Sequence, residues 1–307
     1  MPKYSYARCL ANAQKVNWRI EEVLGNRAFD PDRRWLPLRL SGAALVNVLD
    51  EEERRKLTQV EMASYAHLFG YVEEFIAPKV TELSRDFALE GRDAFDALTS
   101  FAAEEVKHMH LFRQLRARVD AALGFETGLI GDESATARYV LSKSSGAVLL
   151  LTACIEWLTQ RHFTEAFAED EGLDPFTKQV FRAHWQEESQ HAQMDHLETL
   201  RAFARMDAAQ REQAIDELIE LVGAVDGLLQ QQVALDIENL ARHLGRAFEA
   251  GERADLEQGL LRAKRWTFLE SGVTHPRFQE LFAEVTTPEQ QARVGAALNG
   301  LLEPAHA

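Results

Sequence analysis

Two segments of this 307-residue chain each place a histidine three positions after a glutamate. The first contains Glu105 and His108, and the second contains Glu188 and His191. Residues at this spacing share one face of an α-helix, so each pair would point a carboxylate and an imidazole in the same direction. A third histidine, His184, lies one helical turn before Glu188 on that face. Such pairs on two separate helices are typical of a dinuclear metal site inside a four-helix bundle.

A site of this kind needs one further carboxylate from each of two other helices. Asp50 is a predicted N-cap followed by three glutamates, and an apolar stripe at helical spacing runs from there to Phe87. Glu73 lies near the centre of this stripe, whereas Glu74 points to the far side. We therefore assign Glu73 as the inward carboxylate, with Glu74 as the alternative if Pro78 kinks the helix.

Hydrophobic periodicity predicts the four long helices that would position these groups. Their predicted ranges are 51–87, 93–123, 136–170 and 176–205. The third helix places Glu156 on its inner face within an otherwise apolar run, and on the second helix Glu104 points toward solvent or a neighbouring helix. Residues 123–137 contain three glycines and no clear period, which indicates a long crossover between the second and third helices.

The rest of the chain is also predicted to be helical, with no segment of useful length at strand spacing. We expect an all-α fold: a four-helix bundle with a crossover between helices 2 and 3, an N-terminal arm and additional C-terminal helices. Residues 1–49 would form the N-terminal helix and arm, 50–205 the metal-binding bundle, and 206–307 the C-terminal helices, in one structural domain. The first helix is predicted over residues 7–24, and Gly251 is predicted to separate two of the last helices.

The composition limits the partners of the protein. Asp and Glu number 49 against 34 Lys and Arg, so the formal net charge of −15 disfavours binding to nucleic acid or to anionic lipid. The most apolar run, residues 147–155, is shorter than the ~20 residues of a membrane span. Cys9 and Cys154 have no disulfide or metal spacing, and the first residues do not resemble a signal peptide. We expect a cytoplasmic protein with no nucleic-acid or membrane partner.

The predicted site contains four carboxylates and three imidazoles from four helices. One Glu-x-x-His pair carries little information in an acidic helical chain, but two such pairs with lone inward glutamates on the alternating helices form a specific pattern. Burying four uncompensated carboxylates would cost several kcal/mol each, and two divalent cations would cancel that charge. These ligand types suit iron or manganese. The inward polar residues are Glu73, Glu105, His108, Glu156, Glu188 and His191, with His184 one turn before Glu188.

The order Glu, Glu-x-x-His, Glu, Glu-x-x-His between Glu73 and His191 resembles the ferritin-like di-iron carboxylate superfamily. His184 extends the last motif to His-x-x-x-Glu-x-x-His, which is similar to the di-iron arylamine N-oxygenases of the p-aminobenzoate N-oxygenase type. The resemblance covers residues 50–205 and implies that the residues predicted above are ligands of two iron ions, with manganese or a mixed Mn/Fe pair as alternatives. It also implies dioxygen and a small organic substrate, possibly an arylamine, an external electron donor (a ferredoxin or a reductase) and a homodimer.

Two other interpretations remain open at this stage. A ferritin-like protein that handles iron or removes peroxide would need no organic substrate, although the hundred residues after the bundle are unusual for a cage subunit. The inward charges could instead be purely structural. Asp195 is placed either to orient a ligand or on a solvated face. Four phenylalanines could line an apolar pocket beside the metals, but ordinary bundle core explains them better: Phe69, Phe101, Phe112 and Phe163.

Overall fold

The computed structural model describes residues 4–302, and within that range it contains helices and no β-strand. The predicted all-α fold is confirmed. The helices are α1 (Tyr6–Val16), α2 (Ile20–Leu24), α3 (Glu51–Ser84), α4 (Arg92–Leu123), α5 (Glu133–Leu141), α6 (Ser145–His162), α7 (Pro175–Ala204), α8 (Ala208–Leu244), α9 (Ala250–Arg265), α10 (Ser271–Val273), α11 (Pro276–Val285) and α12 (Pro288–Leu302).

Helices α3, α4, α6 and α7 form the bundle, with α3 packed along α4 and α6 along α7. The first of them begins where the sequence indicates, because the Asp50 carboxylate accepts a hydrogen bond from the Glu53 amide at 2.9 Å and the Glu53 side chain accepts one from the Asp50 amide. Helix α4 ends at Gly124, which has a φ of 79° and supplies a left-handed cap. The crossover that follows leads to α5 and leaves α6 beside α7.

The predicted single helix over residues 136–170 is wrong, because three helical pieces replace it. Ser144 adopts an extended backbone conformation between α5 and α6, and its hydroxyl accepts a hydrogen bond from the Ala147 amide at 3.5 Å. The Ser144 amide donates to Glu217 of α8 at 2.7 Å. A contact with a distant helix therefore fixes this break, and a π-helical turn over Phe163–Phe167 ends the segment.

The N-terminal prediction also needs correction, since the chain leaves the helix after α1 and resumes it only at α2. The indole of Trp18, in the intervening segment, donates to the carbonyl of Ala183 on α7 at 2.8 Å. The segment between α1 and α2 is therefore attached to α7 by this hydrogen bond instead of continuing the helix. The predicted end of this region at Gly25 agrees with the structure, where that residue has a φ of 48°.

The C-terminal helices cover one side of the bundle. Helix α8 lies against α3 and α6, α9 and α12 pack on α8, and α10 and α11 lie on α6. The predicted break at Gly251 is wrong: this residue lies inside α9, and the break follows Gly245, whose φ of 68° caps α8. Thr287 and Pro288 start α12 as predicted. Between residues 4 and 302, no helix combines the length and apolar character of a membrane span.

Candidate metal centre

Every side chain of the predicted site lies inside the bundle, at 3% exposure or less. Helices α3 and α6 contribute Glu73 and Glu156, and the remaining five come from the Glu-x-x-His helices α4 and α7. The alternative for the first position, Glu74, faces outward and forms an ion pair with Arg113 at 2.5 Å. Pro78 therefore does not exchange the two glutamates of α3.

Glu188 is at the centre of the cluster. Its Oε1 atom lies 2.5 Å from Nε2 of His184 and 3.0 Å from Nδ1 of His108. Its Oε2 atom lies 2.6 Å from Nδ1 of His191, and that nitrogen is also 2.7 Å from Oε1 of Glu105. The two oxygens of one carboxylate thus face two different sets of nitrogen atoms.

The potential ligand atoms form two overlapping groups, each within 4.8 Å. One group comprises Glu73, His108, His184 and Glu188, and the other comprises Glu105, His108, Glu188 and His191. His108 and Glu188 belong to both. Glu156 belongs to neither group, but it is buried beside them and its charge interacts with those of Glu188, His191 and Glu105. These two adjoining groups of side chains could each hold a metal ion.

Unpartnered polar atoms are concentrated at this point. Several buried polar atoms make no hydrogen bond of normal geometry, even where a neighbouring nitrogen or oxygen lies within 3.0 Å. They are both oxygens of Glu73 and of Glu105, one oxygen of Glu156, Nδ1 of His108 and both nitrogens of His184. Buried polar groups normally have partners, because an unsatisfied group costs about 1–3 kcal/mol. A cluster of unsatisfied oxygen and imidazole nitrogen donors fits a pair of divalent iron or manganese ions, which such donors prefer. The residues present therefore suit a two-metal centre.

The pKa values of the cluster show that its protein groups contain more negative than positive charge. Burial raises the pKa of Glu73 to about 8 despite the nearby His184. Burial, the largest single effect, would lower the pKa of His108 and His191. The Glu188 carboxylate and hydrogen bonds to the neighbouring glutamates together outweigh burial and hold both pKa values well above the usual range. Among protein groups alone, protons on the histidines supply the positive charge. Two divalent cations would neutralise four carboxylates and displace those protons.

Two further glutamates contact His108 and His191 on the side of each ring that points away from the cluster. Nε2 of His108 on α4 lies 2.8 Å from Oε2 of Glu187 on α7, and Nε2 of His191 on α7 lies 2.8 Å from Oε2 of Glu104 on α4. An N–H that donates to each carboxylate fixes the tautomer and leaves Nδ1 facing the centre. Glu187 was not among the predicted site residues, and Glu104 was predicted to point toward solvent or a neighbouring helix. The one sequence feature that links them is that both motifs read Glu-Glu-x-x-His.

The N-terminal segment covers the outer side of this support. The Trp18 ring stacks over His108 with the ring centroids 5.8 Å apart. The Lys107 ammonium lies 4.0 Å from the centroid of the Trp18 ring and donates to Glu187 at 2.5 Å.

Asp195 is buried rather than solvated, and burial raises its pKa to about 8. The residue that orients His191, however, is Glu104.

Aromatic side chains surround the cluster and keep water from the histidines. The Phe101 ring stacks on His191 at 3.9 Å, while Phe112 and Phe69 approach the His184 ring edge-on at 4.8 and 5.4 Å. Phe69 also lines an apolar cavity between α3, α5, α6 and α8. Phe163 stacks instead on Trp185.

Comparison with known protein families identifies the family of this chain. The family model described as P-aminobenzoate N-oxygenase AurF matches residues 5–226 of the chain. The chain belongs to the p-aminobenzoate N-oxygenase AurF family. As a member, it is an oxygen-using oxidoreductase with a two-metal centre. The predicted family and enzyme class are confirmed, and they are favoured over an iron-handling protein without an organic substrate.

Solved structures with some similarity include a variant of an R2-like ligand-binding oxidase with an aerobically reconstituted Mn/Fe cofactor. It has 16% identity and a TM-score of 0.47, and the match covers 86% of this chain and 93% of that one. An R2-like ligand-binding oxidase with the same kind of cofactor after a long soak has 16% identity, a TM-score of 0.44, and coverage of 90% and 94%. No curated protein sequence matches the chain. Family membership rests on the match over residues 5–226.

Proposed function

We propose that this AurF-family protein is a di-iron monooxygenase that transfers one oxygen atom from dioxygen to the nitrogen of a small aromatic amine. The observation that carries the proposal is the buried set of four carboxylates and three imidazoles with unpartnered donor atoms, in a chain of this family. We propose that the metal ligands are Glu73, Glu105, His108, Glu156, His184, Glu188 and His191.

The positions of the side chains in and around the cluster indicate their roles. Glu188 presents its two oxygens to different histidines, which suits a carboxylate shared by both metal ions. Glu187 and Glu104 keep Nδ1 of His108 and His191 aimed at the centre. The surrounding phenylalanines exclude water, which strengthens the electrostatic interactions inside the site. When bound, the iron pair supplies electrons and open positions for dioxygen. Manganese or a mixed Mn/Fe pair would fit the same donors.

The overall reaction must balance in electrons. Conversion of an aromatic amine to the hydroxylamine consumes one dioxygen, two electrons and two protons, and releases one water. The N–H hydrogen is replaced by a hydroxyl group, and the second oxygen atom leaves as water. Because the amine does not supply the two electrons, repeated turnover requires an external donor, for which we propose a ferredoxin or a reductase.

We propose that the protein works as a homodimer in the cytoplasm. Its two cysteines are free and buried, which suits a reducing compartment. The net charge of −15 gives no reason to expect nucleic acid among its partners. Size-exclusion chromatography with light scattering tests the assembly, since a particle the size of a ferritin cage would favour the storage alternative.

Isotope incorporation tests the proposed reaction. The chain is loaded with ferrous iron under anaerobic conditions and then exposed to ¹⁸O₂ with aniline or p-toluidine. We expect one ¹⁸O atom on nitrogen in the product, detected by mass spectrometry, at a yield limited to a single turnover without a donor. Metal-free chain is the control. Consumption of dioxygen that only oxidises iron, with no labelled product from any aromatic amine, would contradict the proposal and favour iron handling.

A further inference from the structure

An apolar cavity lies between α3, α5, α6 and α8. Its volume is about 80 Å³, several times the roughly 10–15 Å³ that one water molecule needs. No charged side chain lines it, and the only polar ones are Tyr71, Tyr139 and Thr136. The Tyr71 hydroxyl is already engaged, because it donates to the carbonyl of Gly131 at 2.9 Å and contacts Thr136 at 2.8 Å. The lining is therefore almost entirely hydrocarbon.

The cavity adjoins the metal centre. Helices α3 and α6, which carry the lone glutamates Glu73 and Glu156, also form two of its walls. Phe69 connects the cavity with the cluster, because its ring lines the cavity and its centroid lies 5.4 Å from that of the His184 ring, with the two planes nearly perpendicular. Tyr139 of α5 also lines the cavity and is 42% exposed, so the cavity reaches the surface at that residue. A molecule that enters there meets Phe69 before it meets the metals.

Because no charged side chain lines the cavity, it should favour uncharged amines over amines that carry a carboxylate. A carboxylate transferred from water into an apolar environment without a partner costs several kcal/mol or more, because neither a cation nor hydrogen-bond donors replace its hydration. An aminobenzoate would bring such a carboxylate into the cavity. An aromatic amine with an uncharged, apolar substituent would bury only hydrocarbon, at a gain of roughly 25 cal/mol per Å².

We infer that this cavity is the substrate pocket and that it takes an uncharged, apolar aromatic amine rather than an aminobenzoate anion. The inference rests on the proposed function for its reaction, but the binding preference is independent of turnover. A cationic cleft on the other side of α3 is the competing site. Its charged lining residues are Arg113, Arg116 and one acid, Glu133. Phe112 also lines it, with its ring centroid 4.8 Å from that of His184. An anionic substrate would be expected there.

Equilibrium binding to the manganese-loaded chain, without a reductant, tests this preference. The matched ligands are p-toluidine and p-aminobenzoate, which differ in a methyl group against a carboxylate. We expect p-toluidine to bind at least ~100-fold more tightly, as measured by isothermal titration calorimetry, which corresponds to about 2.7 kcal/mol. Failure of p-toluidine to bind at millimolar concentration, or equal or tighter binding of p-aminobenzoate, would overturn the inference.

Variants locate the bound amine. Val225→Trp fills the cavity from α8, and we expect it to weaken p-toluidine binding at least ~10-fold while the chain keeps its melting temperature and its metal content. The matched control is Val106→Trp, at a residue that is 43% exposed on α4 and outside the cavity. Equal binding by both variants would exclude the cavity. A binding loss in Arg116→Ala would instead place the ligand in the cationic cleft and overturn the inference.

A second variant tests the inference even if Val225→Trp does not fold. Leu228→Lys adds a cation at a half-buried position of the lining, and we expect it to improve p-aminobenzoate binding relative to p-toluidine by at least ~10-fold. An unchanged ratio would count against the inference. If p-toluidine binds selectively in the cavity but no ¹⁸O reaches its nitrogen, the pocket assignment stands and the proposed reaction fails, so the two outcomes are distinguishable.

Discussion

Nε2 of His108 on α4 lies 2.8 Å from the carboxylate of Glu187 on α7. Both side chains are fully buried, so this contact fixes the imidazole where solvent cannot compete. The reverse contact, from His191 of α7 to Glu104 of α4, has the same length. Each Glu-Glu-x-x-His helix therefore provides one proposed ligand pair and also orients the histidine of its partner. Metal affinity should consequently depend on residues that do not touch the metal.

Replacement of Glu187 by Gln tests this dependence. The amide can still accept from His108, but the negative charge that makes the imidazole a stronger donor is lost, and so is the ion pair with Lys107. We expect metal affinity to fall about 10–100-fold, measured by competition with a coloured chelator. Glu74→Gln is the matched control, because Glu74 lies on the same bundle but outside the cluster. An equal effect in both variants would show that Glu187 does not support the centre.

His184→Ala separates oxygenation from metal binding. His184 makes no hydrogen bond of normal geometry, and its close contact of 2.5 Å is with the Glu188 carboxylate inside the cluster. We expect a folded chain that retains part of its iron and loses N-oxygenation, as determined by melting temperature, iron content and product mass. His110→Ala is the control, since His110 is exposed on α4. Unchanged product formation in His184→Ala would exclude the proposed role of the third histidine.

Metal removal should destabilise the folded chain. Without cations, several buried carboxylate oxygens have no partner, and the cost of burying them is only partly offset by histidine protons. Each ion present at about 1,000 times its dissociation constant would stabilise the fold by about 4 kcal/mol, so two ions would contribute about 8 kcal/mol. Chelation should therefore lower the melting temperature by about 12 °C. Two equivalents of Fe²⁺ or Mn²⁺ should restore it, whereas Mg²⁺ should not. A melting temperature that chelation leaves unchanged would favour purely structural charges.

Local helix geometry explains how much of the site the sequence could predict. The spacing of Glu105 to His108 fixes their common face in any α-helix, and the apolar stripe of α3 distinguishes Glu73 from Glu74. These relations involve neighbours one turn apart, and the structure places the side chains together as expected. No such rule specifies which group on a different helix lies behind a histidine, and Glu187 was missed for that reason.

Features that depend on distant contacts could not be predicted from periodicity. The break between α5 and α6 depends on the bond from the Ser144 amide to Glu217, which is 73 residues away in the chain. The face that α8 turns toward the bundle, and with it one wall of the apolar cavity, follows from packing between α3 and α6. Amphipathic spacing indicated that α8 is a helix, but it did not indicate what the helix would line.

A separate buried carboxylate, Glu61 of α3, should make stability depend on pH. It accepts hydrogen bonds from the Ser41 hydroxyl and from the Gly42 amide, the latter at 3.1 Å. Burial raises its pKa to about 7; the nearby Lys264 opposes this shift and Asp236 adds to it. The ordinary value of about 4.5 applies in the unfolded chain.

The sign of the effect follows from the two pKa values. Between pH 4.5 and pH 7 the folded chain keeps a proton on Glu61 that the unfolded chain releases, so stability falls as the pH rises through this window. Relative to Glu61→Gln, the free energy of unfolding of the unmodified chain should fall by about 3 kcal/mol from pH 4.5 to pH 7.5 and then stay level. Urea unfolding of both chains measures this difference. Glu238→Gln, at an exposed position of α8, should show a curve parallel to that of the unmodified chain, and a parallel curve for Glu61→Gln would contradict the assigned shift.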